Sequence, residues 1–198
     1  MSQRRYVILD RDGTIIKEHN HLTDKALVEL IPGVASGLLQ MRELGLGLVI
    51  VTNQSAIGRG ILDYQRLDAI HARMKELLYQ EGVTLDGIFF CPHTPEDNCT
   101  CRKPKVGLVE LAFKELRFNP RECFIVGDKP CDIELGKRIG GITFLVRTGY
   151  GSQVEISQTI QADYVVDNLQ AASNIMKQII ADRYKLLEKL EGAGSLLC

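Results

Sequence analysis

The sequence has almost no net charge and no long hydrophobic run. Its 198 residues contain 24 Lys and Arg against 25 Asp and Glu, which leaves a formal net charge of −1. That balance argues against a broad electrostatic surface for nucleic acid or anionic lipid. The longest apolar run, at residues 46–51, is too short to cross a bilayer. We therefore expect a globular protein with neither a nucleic-acid partner nor a membrane partner.

A secretory signal and a dense cysteine framework are also missing. Only residues 6–9 form an apolar run between Arg4-Arg5 and Asp10, which is too short for an export signal. Three of the six cysteines lie at residues 91–101 and three are scattered, whereas disulfide-stabilised secreted proteins are richer in cysteine. These features predict a cytoplasmic protein with reduced thiols.

Internal repeats, low-complexity tracts and interdomain linkers are absent as well. A chain of this length buries enough surface to fold as one domain. We expect a single domain at residues 1–191 and a flexible tail at residues 192–198, which ends in Cys198. The protein is expected to be a monomer, and the apolar end of its last helix leaves a dimer as the alternative.

Short apolar runs alternate with segments of helical periodicity. This alternation is typical of βα units around a parallel sheet, with helices on both faces. It predicts an α/β fold with three layers and a Rossmann-like sheet. Predicted helices lie at residues 34–44, 63–81, 108–116 and 132–139, and a long final helix begins at residue 169 and ends at residues 192–194. Predicted strands lie at residues 6–9, 46–51, 87–90, 123–126, 142–146 and 164–166.

Polar residues follow the first four predicted strands, at residues 10–14, 52–55, 91–93 and 127–129. In an open parallel sheet, ligands bind in the crevice beyond the carboxyl ends of the strands. We therefore expect carboxylates, a hydroxyl, amides and metal ligands to converge on one edge of the sheet.

The first and fourth of these segments supply Asp10, Asp12 and Asp128. A turn through Gly13 is expected to bring the Asp12 carboxylate back over the same site as Asp10. Carboxylates this close repel one another, so the group requires a hard cation, for which Mg²⁺ is the natural choice. A lone Asp-x-Asp is usually a solvated turn, but its position after a buried strand favours a metal site. Bound Mg²⁺ would in turn favour an anionic substrate.

Groups suited to phosphate stand in two further segments. Thr52 and Asn53 supply a hydroxyl and an amide at a strand end, where backbone N–H groups also suit phosphoryl oxygens. Arg102 and Lys103 are adjacent cations, and Pro104 restricts the chain direction after them. Such residues are often mere caps or surface charges, but their position beside the other polar segments favours a binding role.

Residues 91–101 contain a Cys-x-His followed by a Cys-x-Cys. The three thiols and one imidazole belong to Cys91, His93, Cys99 and Cys101. This donor set is typical of a closed tetrahedral Zn²⁺ site that leaves no position for water. We expect a structural zinc that stiffens the loop and helps to position Arg102 and Lys103.

The motifs resemble the four successive motifs of the haloacid dehalogenase superfamily of phosphatases, in order and spacing, over residues 6–147. They are Asp10-Arg11-Asp12-Gly13-Thr14, Thr52-Asn53-Gln54, Arg102-Lys103-Pro104 and Gly127-Asp128-Lys129. The resemblance implies that superfamily's sheet. The chain length leaves no room for a separate cap domain, in whose place we expect the small zinc-binding loop.

Within that superfamily, residues 52–60 and 146–149 are most similar to the heptose bisphosphate 7-phosphatases, and next to the histidinol-phosphate phosphatases. Both groups carry a zinc loop. The five residues between His93 and Cys99, 94–98, match the histidinol phosphatases, whereas many heptose bisphosphatases have a longer insertion. The resemblance implies removal of the 7-phosphate from a heptose 1,7-bisphosphate, with histidinol phosphate or another small sugar phosphate as the alternative substrate.

The resemblance also implies catalytic roles. Asp10 is the expected nucleophile, which forms an aspartyl-phosphate intermediate, and Asp12 is the expected acid and base. Mg²⁺ is expected on Asp10, on Asp128 and on Asp12, the last through its backbone carbonyl. Thr52 and Lys103 are expected to hold the phosphoryl oxygens.

The remaining assignments concern substrate contacts. Arg102 is expected to bind the remote phosphate of a bisphosphate. Asp132 is expected to brace its loop rather than bind metal, and His19 and His21 are alternatively solvated loop residues. The full set of expected substrate contacts is Glu18, His19, Asn20, His21, Asn53, Gln54, Ser55, Arg102 and Lys129.

Three other protein classes share parts of this pattern. A receiver-type signalling domain also gathers acids and Mg²⁺ around a phosphorylated Asp, but it needs neither a zinc loop nor Arg102 and Lys103. A zinc-ribbon module and a polynucleotide 3′-phosphatase both need a basic surface for nucleic acid, which a chain of net charge −1 does not predict.

Overall fold

In the computed structural model, which describes residues 4–194 and side chains through Leu186, six parallel strands form one sheet. In chain order they are β1 (Tyr6–Leu9), β2 (Gly47–Asn53), β3 (Gly87–Cys91), β4 (Phe124–Gly127), β5 (Ile142–Val146) and β6 (Tyr164–Val166). Their order in space is β3-β2-β1-β4-β5-β6, so β1 lies between β2 and β4 at the centre.

Helices cover both faces of the sheet. They are α1 (Val34–Glu43), α2 (Tyr64–Gln80), α3 (Gly107–Leu116), α4 (Pro130–Ile139), α5 (Gly151–Ser157) and α6 (Leu169–Gly194). Helices α1, α2 and α6 share one buried apolar cluster with the sheet, and α3 and α4 share another. The predicted three-layer Rossmann-like α/β fold is confirmed, and no separate cap domain is present among residues 4–194.

The side chains of the central strand alternate between the two faces. Val7 and Leu9 join the cluster of α1, α2 and α6, while Tyr6 and Ile8 join the cluster of α3 and α4. Because both faces are covered, the strand has no solvent-facing side and its four residues are all apolar. This burial explains why the strands are visible in the sequence as continuous hydrophobic runs.

Several elements differ from the sequence predictions, most of them by one or two residues at an end. Strand β2 continues through Asn53 instead of ending at residue 51, because Thr52 and Asn53 pair with Phe90 and Cys91 of β3. Thr52 and Asn53 therefore lie on the strand and not after it. Helix α5 was not predicted, since its seven residues are too few to display a helical period.

The final helix extends beyond the core, as the sequence suggested. Leu169, Ala172 and Met176 are buried, whereas Tyr184 is 65% exposed. The helix continues to Gly194, and residues 195–198 of the predicted tail, Cys198 included, lie outside the described residues. Within residues 4–194, no helix combines the length and apolar character of a membrane span.

Candidate active site

The carboxyl ends of three neighbouring strands meet at the middle of one sheet edge. Leu9 at the end of β1 pairs with Ile50 of β2 and with Val126 of β4. The residues that follow β1 and β4 are therefore neighbours of the last residues of β2. This pairing of β1 with β2 and β4 explains why polar segments that are far apart in the sequence converge at one edge.

Three buried carboxylates gather at this edge. Oxygen atoms of Asp10, Asp128 and Asp132 lie within 4.8 Å of one another. The three residues are only 5%, 0% and 1% exposed. Their mutual repulsion in a site shielded from water is unfavourable unless cations lie among them.

Asp128 is the acid that the site perturbs most. Burial, followed by the charge of Asp10, raises the pKa of Asp128 to about 8. Its Oδ2 accepts a hydrogen bond from the backbone N–H of Tyr150 at 2.9 Å, but its Oδ1 has no hydrogen-bond partner among the described residues. A buried carboxylate oxygen without a donor, beside other acids, is satisfied by a hard divalent cation. The residues present therefore fit Mg²⁺.

Lys103 lies buried between two of the acids. Its Nζ is 2.9 Å from Asp10 Oδ1 and 2.6 Å from Asp132 Oδ1. Burial disfavours the charged forms of Lys103 and Asp10, but the attraction between the two charges outweighs this effect. The pKa of Lys103 is therefore raised and the pKa of Asp10 is lowered. The backbone N–H of Arg11 also donates to Asp10 Oδ1 at 2.8 Å. Asp10 is therefore ionised at neutral pH.

Asp132 connects the acid cluster to the start of α4. Its Oδ2 accepts a hydrogen bond from the backbone N–H of Lys129 at 3.1 Å. Burial raises the pKa of Asp132 to about 6, although Lys103 opposes that shift. These contacts brace the loop between β4 and α4, and they also place Asp132 among the acids.

The Asp12 carboxylate is not one of these three clustered acids, and it lines the adjoining pocket. Nε and a terminal nitrogen of Arg11 donate to its two oxygens at 3.1 and 3.0 Å. Gln54 Nε2 donates to Asp12 Oδ2 at 2.8 Å. These donors hold the carboxylate at the wall of the pocket. The backbone carbonyl of Asp12 accepts from Lys129 Nζ at 3.3 Å.

Asn53 and Gln54, both expected to contact substrate, hold protein groups in this structure. Asn53 Oδ1 accepts from the backbone N–H of Lys103 at 3.0 Å, and its Nδ2 donates to the Lys103 carbonyl at 3.2 Å. Gln54 Nε2 donates to Thr52 Oγ1 at 2.9 Å, besides its contact with Asp12. The two amides thus position the lysine, the hydroxyl and the second carboxylate.

A pocket of about 180 Å³ opens beside these groups. Most of the expected substrate contacts line it, but His19 and Arg102 are not among its lining residues. Arg102 instead donates to the backbone carbonyl of His93 at 3.2 Å. The expected contacts that do line the pocket are Glu18, Asn20, His21, Asn53, Gln54, Ser55 and Lys129.

Lys129 links the pocket to the acids. Its Nζ is 2.7 Å from Glu18 Oε2, 3.8 Å from Asp10 Oδ2 and 3.9 Å from Asp128 Oδ1. Burial opposes its charge, but the neighbouring carboxylates raise the pKa of Lys129. The Tyr150 ring lies beneath the ammonium group, 5.5 Å from Nζ to the ring centroid. Lys129 is thus a second fixed cation for an anionic ligand.

The four expected zinc ligands lie together in the loop after β3. Cys101 Sγ is 3.2 Å from Cys91 Sγ, 3.5 Å from Cys99 Sγ and 3.3 Å from His93 Nδ1. Burial and the neighbouring thiols raise the pKa of Cys91, so the thiolates need a cation. In a tetrahedral zinc site the sulfurs stand roughly 3.8 Å apart, a slight expansion of this cluster. The donor set and its spacing fit Zn²⁺.

The cysteine loop at residues 91–101, which holds these four ligands, contacts the polar edge of the sheet directly. The backbone N–H of Gln54 donates to the Cys91 carbonyl at 2.7 Å, and that of Gly58 donates to the Pro92 carbonyl at 2.9 Å. The backbone N–H of Arg102 donates to Cys99 Sγ at 3.4 Å. The shape of the loop is therefore coupled to Gln54 on one side and to the Arg102-Lys103 segment on the other.

The turn after β5 belongs to the site, although no motif predicts a role for it there. Thr148 Oγ1 donates to the Gly13 carbonyl at 2.7 Å, and Tyr150 supplies the N–H that binds Asp128. Gly149 has a positive φ of 55°, and a Cβ there would lie 2.2 Å from Asp128 Oδ2. The available signal is the Thr148-Gly149 pair, one residue after the predicted strand and within the segment 146–149 that carries part of the resemblance.

Arg11 and His71 are two further residues that the motifs leave without a role. Arg11 is 1% exposed and His71 is 7% exposed, and their nitrogens lie 3.0 Å apart. His71 stands on the buried face of α2 between Ile70 and Met74. A histidine in the middle of an apolar stripe is the signal in the sequence that could have found it.

Comparison with known proteins identifies the family. A D-glycero-beta-D-manno-heptose-1,7-bisphosphate 7-phosphatase from Haemophilus ducreyi is 38% identical over 174 residues, which cover 84% of this chain and 94% of that protein. The chain belongs to this phosphatase family. Residues 100–172 also match the HAD-hydrolase-like family. The predicted resemblance to haloacid dehalogenase-type phosphatases is confirmed.

Other similar proteins fit the same family or a neighbouring one. The crystal structure of a D,D-heptose 1,7-bisphosphate phosphatase from B. bronchiseptica, complexed with magnesium and phosphate, superposes with a TM-score of 0.82. It is 30% identical and covers 88% of this chain and 98% of that one. The histidine biosynthesis bifunctional protein HisB from Legionella pneumophila is 36% identical over 144 residues, which cover 72% of this chain and 41% of that protein.

Proposed function

We propose that this protein is a Mg²⁺-dependent phosphatase that removes the 7-phosphate of D-glycero-β-D-manno-heptose 1,7-bisphosphate. The observation that carries the proposal is the buried cluster of Asp10, Asp128 and Asp132 with Lys103 among its acids and an unpartnered Asp128 Oδ1. An ionised carboxylate beside a cation site and a fixed lysine suits phosphoryl transfer. The family supports the heptose as the substrate.

The metal ions have separate tasks. Mg²⁺ would be held by Asp10, Asp128 and the backbone carbonyl of Asp12, and when bound it neutralises the negative charge of the phosphoryl group. Asp132 is left to brace Lys103 and the start of α4. Zn²⁺ would be held by the cysteine loop, which stiffens the approach to Lys103. Neither task requires a mobile cap domain.

Asp10 acts as the nucleophile. Its carboxylate oxygen forms a bond to phosphorus while the bond from phosphorus to the sugar oxygen breaks, which leaves an aspartyl-phosphate. Lys103 and the Thr52 hydroxyl hold the phosphoryl oxygens during this transfer. Water then attacks the phosphorus, and Asp10 is released as a carboxylate together with inorganic phosphate.

Asp12 transfers the protons. It gives a proton to the sugar oxygen as that oxygen leaves, and it takes one from the attacking water in the second step. The carboxylate lies at the edge of the pocket, 14% exposed, where a leaving group can reach it. Its hydrogen bonds from Arg11 and Gln54 fix its direction.

The rest of the substrate occupies the pocket. Lys129 and Glu18 already form a 2.7 Å ion pair at its wall, so they offer both a cation and an acceptor to the sugar phosphate. Asn20, His21 and Ser55 complete the contacts, with His19 beside them. Arg102 binds the remote phosphate after its guanidinium leaves the His93 carbonyl.

Histidinol phosphate is the second candidate substrate. The five-residue interval between His93 and Cys99 favours it, because that interval matches the histidinol phosphatases. The similarity to the bifunctional protein HisB points in the same direction. The reaction at phosphorus would be identical, and only the contacts with the leaving group would differ.

A phosphate-release screen separates these candidates. Purified protein with Mg²⁺ is assayed on both anomers of heptose 1,7-bisphosphate, on fructose 1,6-bisphosphate and on histidinol phosphate. We expect the highest kcat/KM for the β anomer of the heptose, with ³¹P NMR showing loss of the signal from the 7-phosphate. A higher kcat/KM for histidinol phosphate would assign the second candidate, and no release from any ester would refute a phosphatase.

The remaining expectations are part of the same proposal. Three thiolates on zinc must stay reduced, which suits a cytoplasmic protein. A single domain at residues 1–191 and a monomeric state also stay predictions, which limited proteolysis and light scattering can measure.

A further inference from the structure

A buried chain of hydrogen bonds runs from helix α2 to Asp12, and the proposed reaction does not account for its far end at His71. The chain passes through the guanidinium group of Arg11. His71 Nε2 lies 3.0 Å from one terminal nitrogen of Arg11, and the opposite edge of the guanidinium donates to both oxygens of Asp12. His71 is thus one residue removed from the group proposed to transfer protons.

The guanidinium group is held from three sides. Besides its two bonds to Asp12, one terminal nitrogen donates to Gln54 Oε1 at 2.9 Å, and the other faces His71. Arg11 is 1% exposed, so water has little access to its donors. A buried charged donor without an acceptor is unfavourable, which makes each partner necessary for this orientation.

The protonation state of His71 follows from its partner. A guanidinium group has only donors, so Nε2 of His71 must accept, and the ring proton must sit on Nδ1. Burial, with the charge of Arg11 second, lowers the pKa of His71 to about 3, which keeps the ring neutral. The ring also packs against Phe90, with centroids 5.8 Å apart, which fixes its plane.

We infer that His71 is a positioning residue for proton transfer by Asp12, because it holds Arg11 from behind and thereby fixes the Asp12 carboxylate toward the leaving group. The inference rests on the proposed function. Gln54 alone does not fix the orientation of the guanidinium, because it binds the same terminal nitrogen of Arg11 that contacts Asp12. His71 binds the other terminal nitrogen and so restricts rotation of the guanidinium.

A purely structural role for His71 would have different consequences. If His71 only filled the core, its replacement would lower stability and reduce the turnover of every substrate alike. If it positions a proton donor, the loss of activity depends on the leaving group. A phenolate with electron-withdrawing substituents can leave without a proton, whereas a sugar oxygen needs one. The ratio of kcat/KM for the two kinds of ester therefore distinguishes the roles.

Three substitutions at His71 give a matched series. His71→Leu removes the acceptor. His71→Gln returns an amide oxygen close to the place of Nε2, whereas the shorter His71→Asn returns one near the place of Nδ1, out of reach of Arg11. Met74→Leu, on the same buried face of α2, controls for repacking of the core.

The experiment compares heptose 1,7-bisphosphate and glucose 6-phosphate with p-nitrophenyl phosphate, and records melting temperature and zinc content alongside. We expect His71→Leu and His71→Asn to lower kcat/KM for the sugar phosphates about tenfold or more, with less than about threefold change for p-nitrophenyl phosphate. His71→Gln should restore most of the loss, and Met74→Leu should leave the ratio unchanged.

Each outcome is decisive. Equal losses on all esters, or no loss, would overturn the role of His71 while leaving the phosphatase intact. A wild-type protein that hydrolyses none of the esters would refute the proposed function and this inference with it. If His71→Leu does not fold, the contrast between His71→Gln and His71→Asn gives the answer.

Discussion

At the scale of single residues, burial decides what each acid of the site can do. Asp10 and Asp128 are equally acidic in a free chain, yet Asp10 is ionised beside Lys103 whereas the pKa of Asp128 rises to about 8. The sequence predicts both residues from their motifs. It does not predict their difference, because that depends on the burial of Asp128 and on Lys103 beside Asp10, both of which come from the packing of distant segments.

Asp128→Asn should change the pH dependence of stability in protein without Mg²⁺. The pKa of Asp128 is about 8 in the folded state against an ordinary value of 3.8, so between these values the folded state binds a proton that the unfolded state has lost. The free energy of unfolding therefore falls as pH rises from about 4 to about 8, by at most about 1.4 kcal/mol per pH unit. Urea unfolding at pH 5 and pH 8 should show Asp128→Asn losing less stability than the wild type.

Magnesium provides the control for that measurement. Added Mg²⁺ should stabilise the wild type more at pH 8 than at pH 5, and should stabilise Asp128→Asn little at either pH. The low pKa of Asp10 affects stability only below about pH 4, outside the measured interval. An identical pH dependence in both proteins would contradict the burial of Asp128.

Asn53→Ala should weaken catalysis without loss of zinc. The substitution removes both hydrogen bonds that hold the backbone of Lys103, so the ammonium group loses its fixed place beside Asp10. We expect kcat/KM to fall about tenfold or more, by analogy with other positioning losses. Asn174→Ala, the same change at an exposed site on α6, is the control. Equal activity of the two variants would show that Asn53 does not position Lys103.

At the scale of elements, the buried strands could be predicted more readily than their ends. Four apolar residues mark β1, because both faces of the sheet are covered. Strand β2 ends two residues later than its apolar run predicts, because the pairing of Thr52 and Asn53 with β3 leaves no mark in the hydrophobicity of the sequence. Cys91 and its partners were predicted as a set, because the chemistry of thiols and imidazole is specific.

Cys99→Ser should remove zinc and activity together. Its thiol is one of the four expected zinc ligands and accepts a hydrogen bond from the backbone N–H of Arg102. Loss of the thiol therefore disturbs the segment that leads to Lys103. Zinc content, measured by inductively coupled plasma mass spectrometry, should fall together with kcat. Cys123→Ala, at a buried cysteine outside the loop, should retain both. A zinc-free but fully active Cys99→Ser would refute the supporting role of the loop.

The turn after β5 gives a test of its own. In Gly149→Ala, the new Cβ would lie 2.2 Å from Asp128 Oδ2, so the acid must move. We expect a lower kcat and a higher concentration of Mg²⁺ for half-maximal activity. Gly45→Ala is the matched control, because Gly45 also has a positive φ, 77°, but has no neighbour within 4 Å of the new atom. Equal effects of both changes would attribute the loss to backbone strain alone.

At the scale of the whole molecule, the order of strands creates the site. Because β1 lies between β2 and β4, Asp10, Thr52 and Asp128 meet at one edge of the sheet. The motifs and a parallel topology together predict this meeting. The same order does not tell which acids meet. Asp132 joins Asp10 and Asp128 through its ion pair with the buried Lys103, whereas the Asp12 carboxylate is bound by Arg11 and Gln54.

The small net charge of the chain conceals a local division. The buried acids Asp10, Asp128 and Asp132 lie together at one sheet edge, and Lys103 is paired with two of them. Lys129 lies beside the same acids and also lines the pocket. Acids suited to a divalent cation and a cation suited to a phosphorylated substrate are thus neighbours in the site.

The most direct test of the account is the detection of phosphate on Asp10. Wild-type protein is mixed with heptose 1,7-bisphosphate and Mg²⁺, quenched in acid within milliseconds, and its peptides are weighed by mass spectrometry. The account predicts a phosphoryl adduct on the peptide that contains Asp10, and predicts neither adduct nor phosphate release for Asp10→Asn and Asp10→Ala. Normal turnover by Asp10→Ala, or an adduct on another residue, would contradict it.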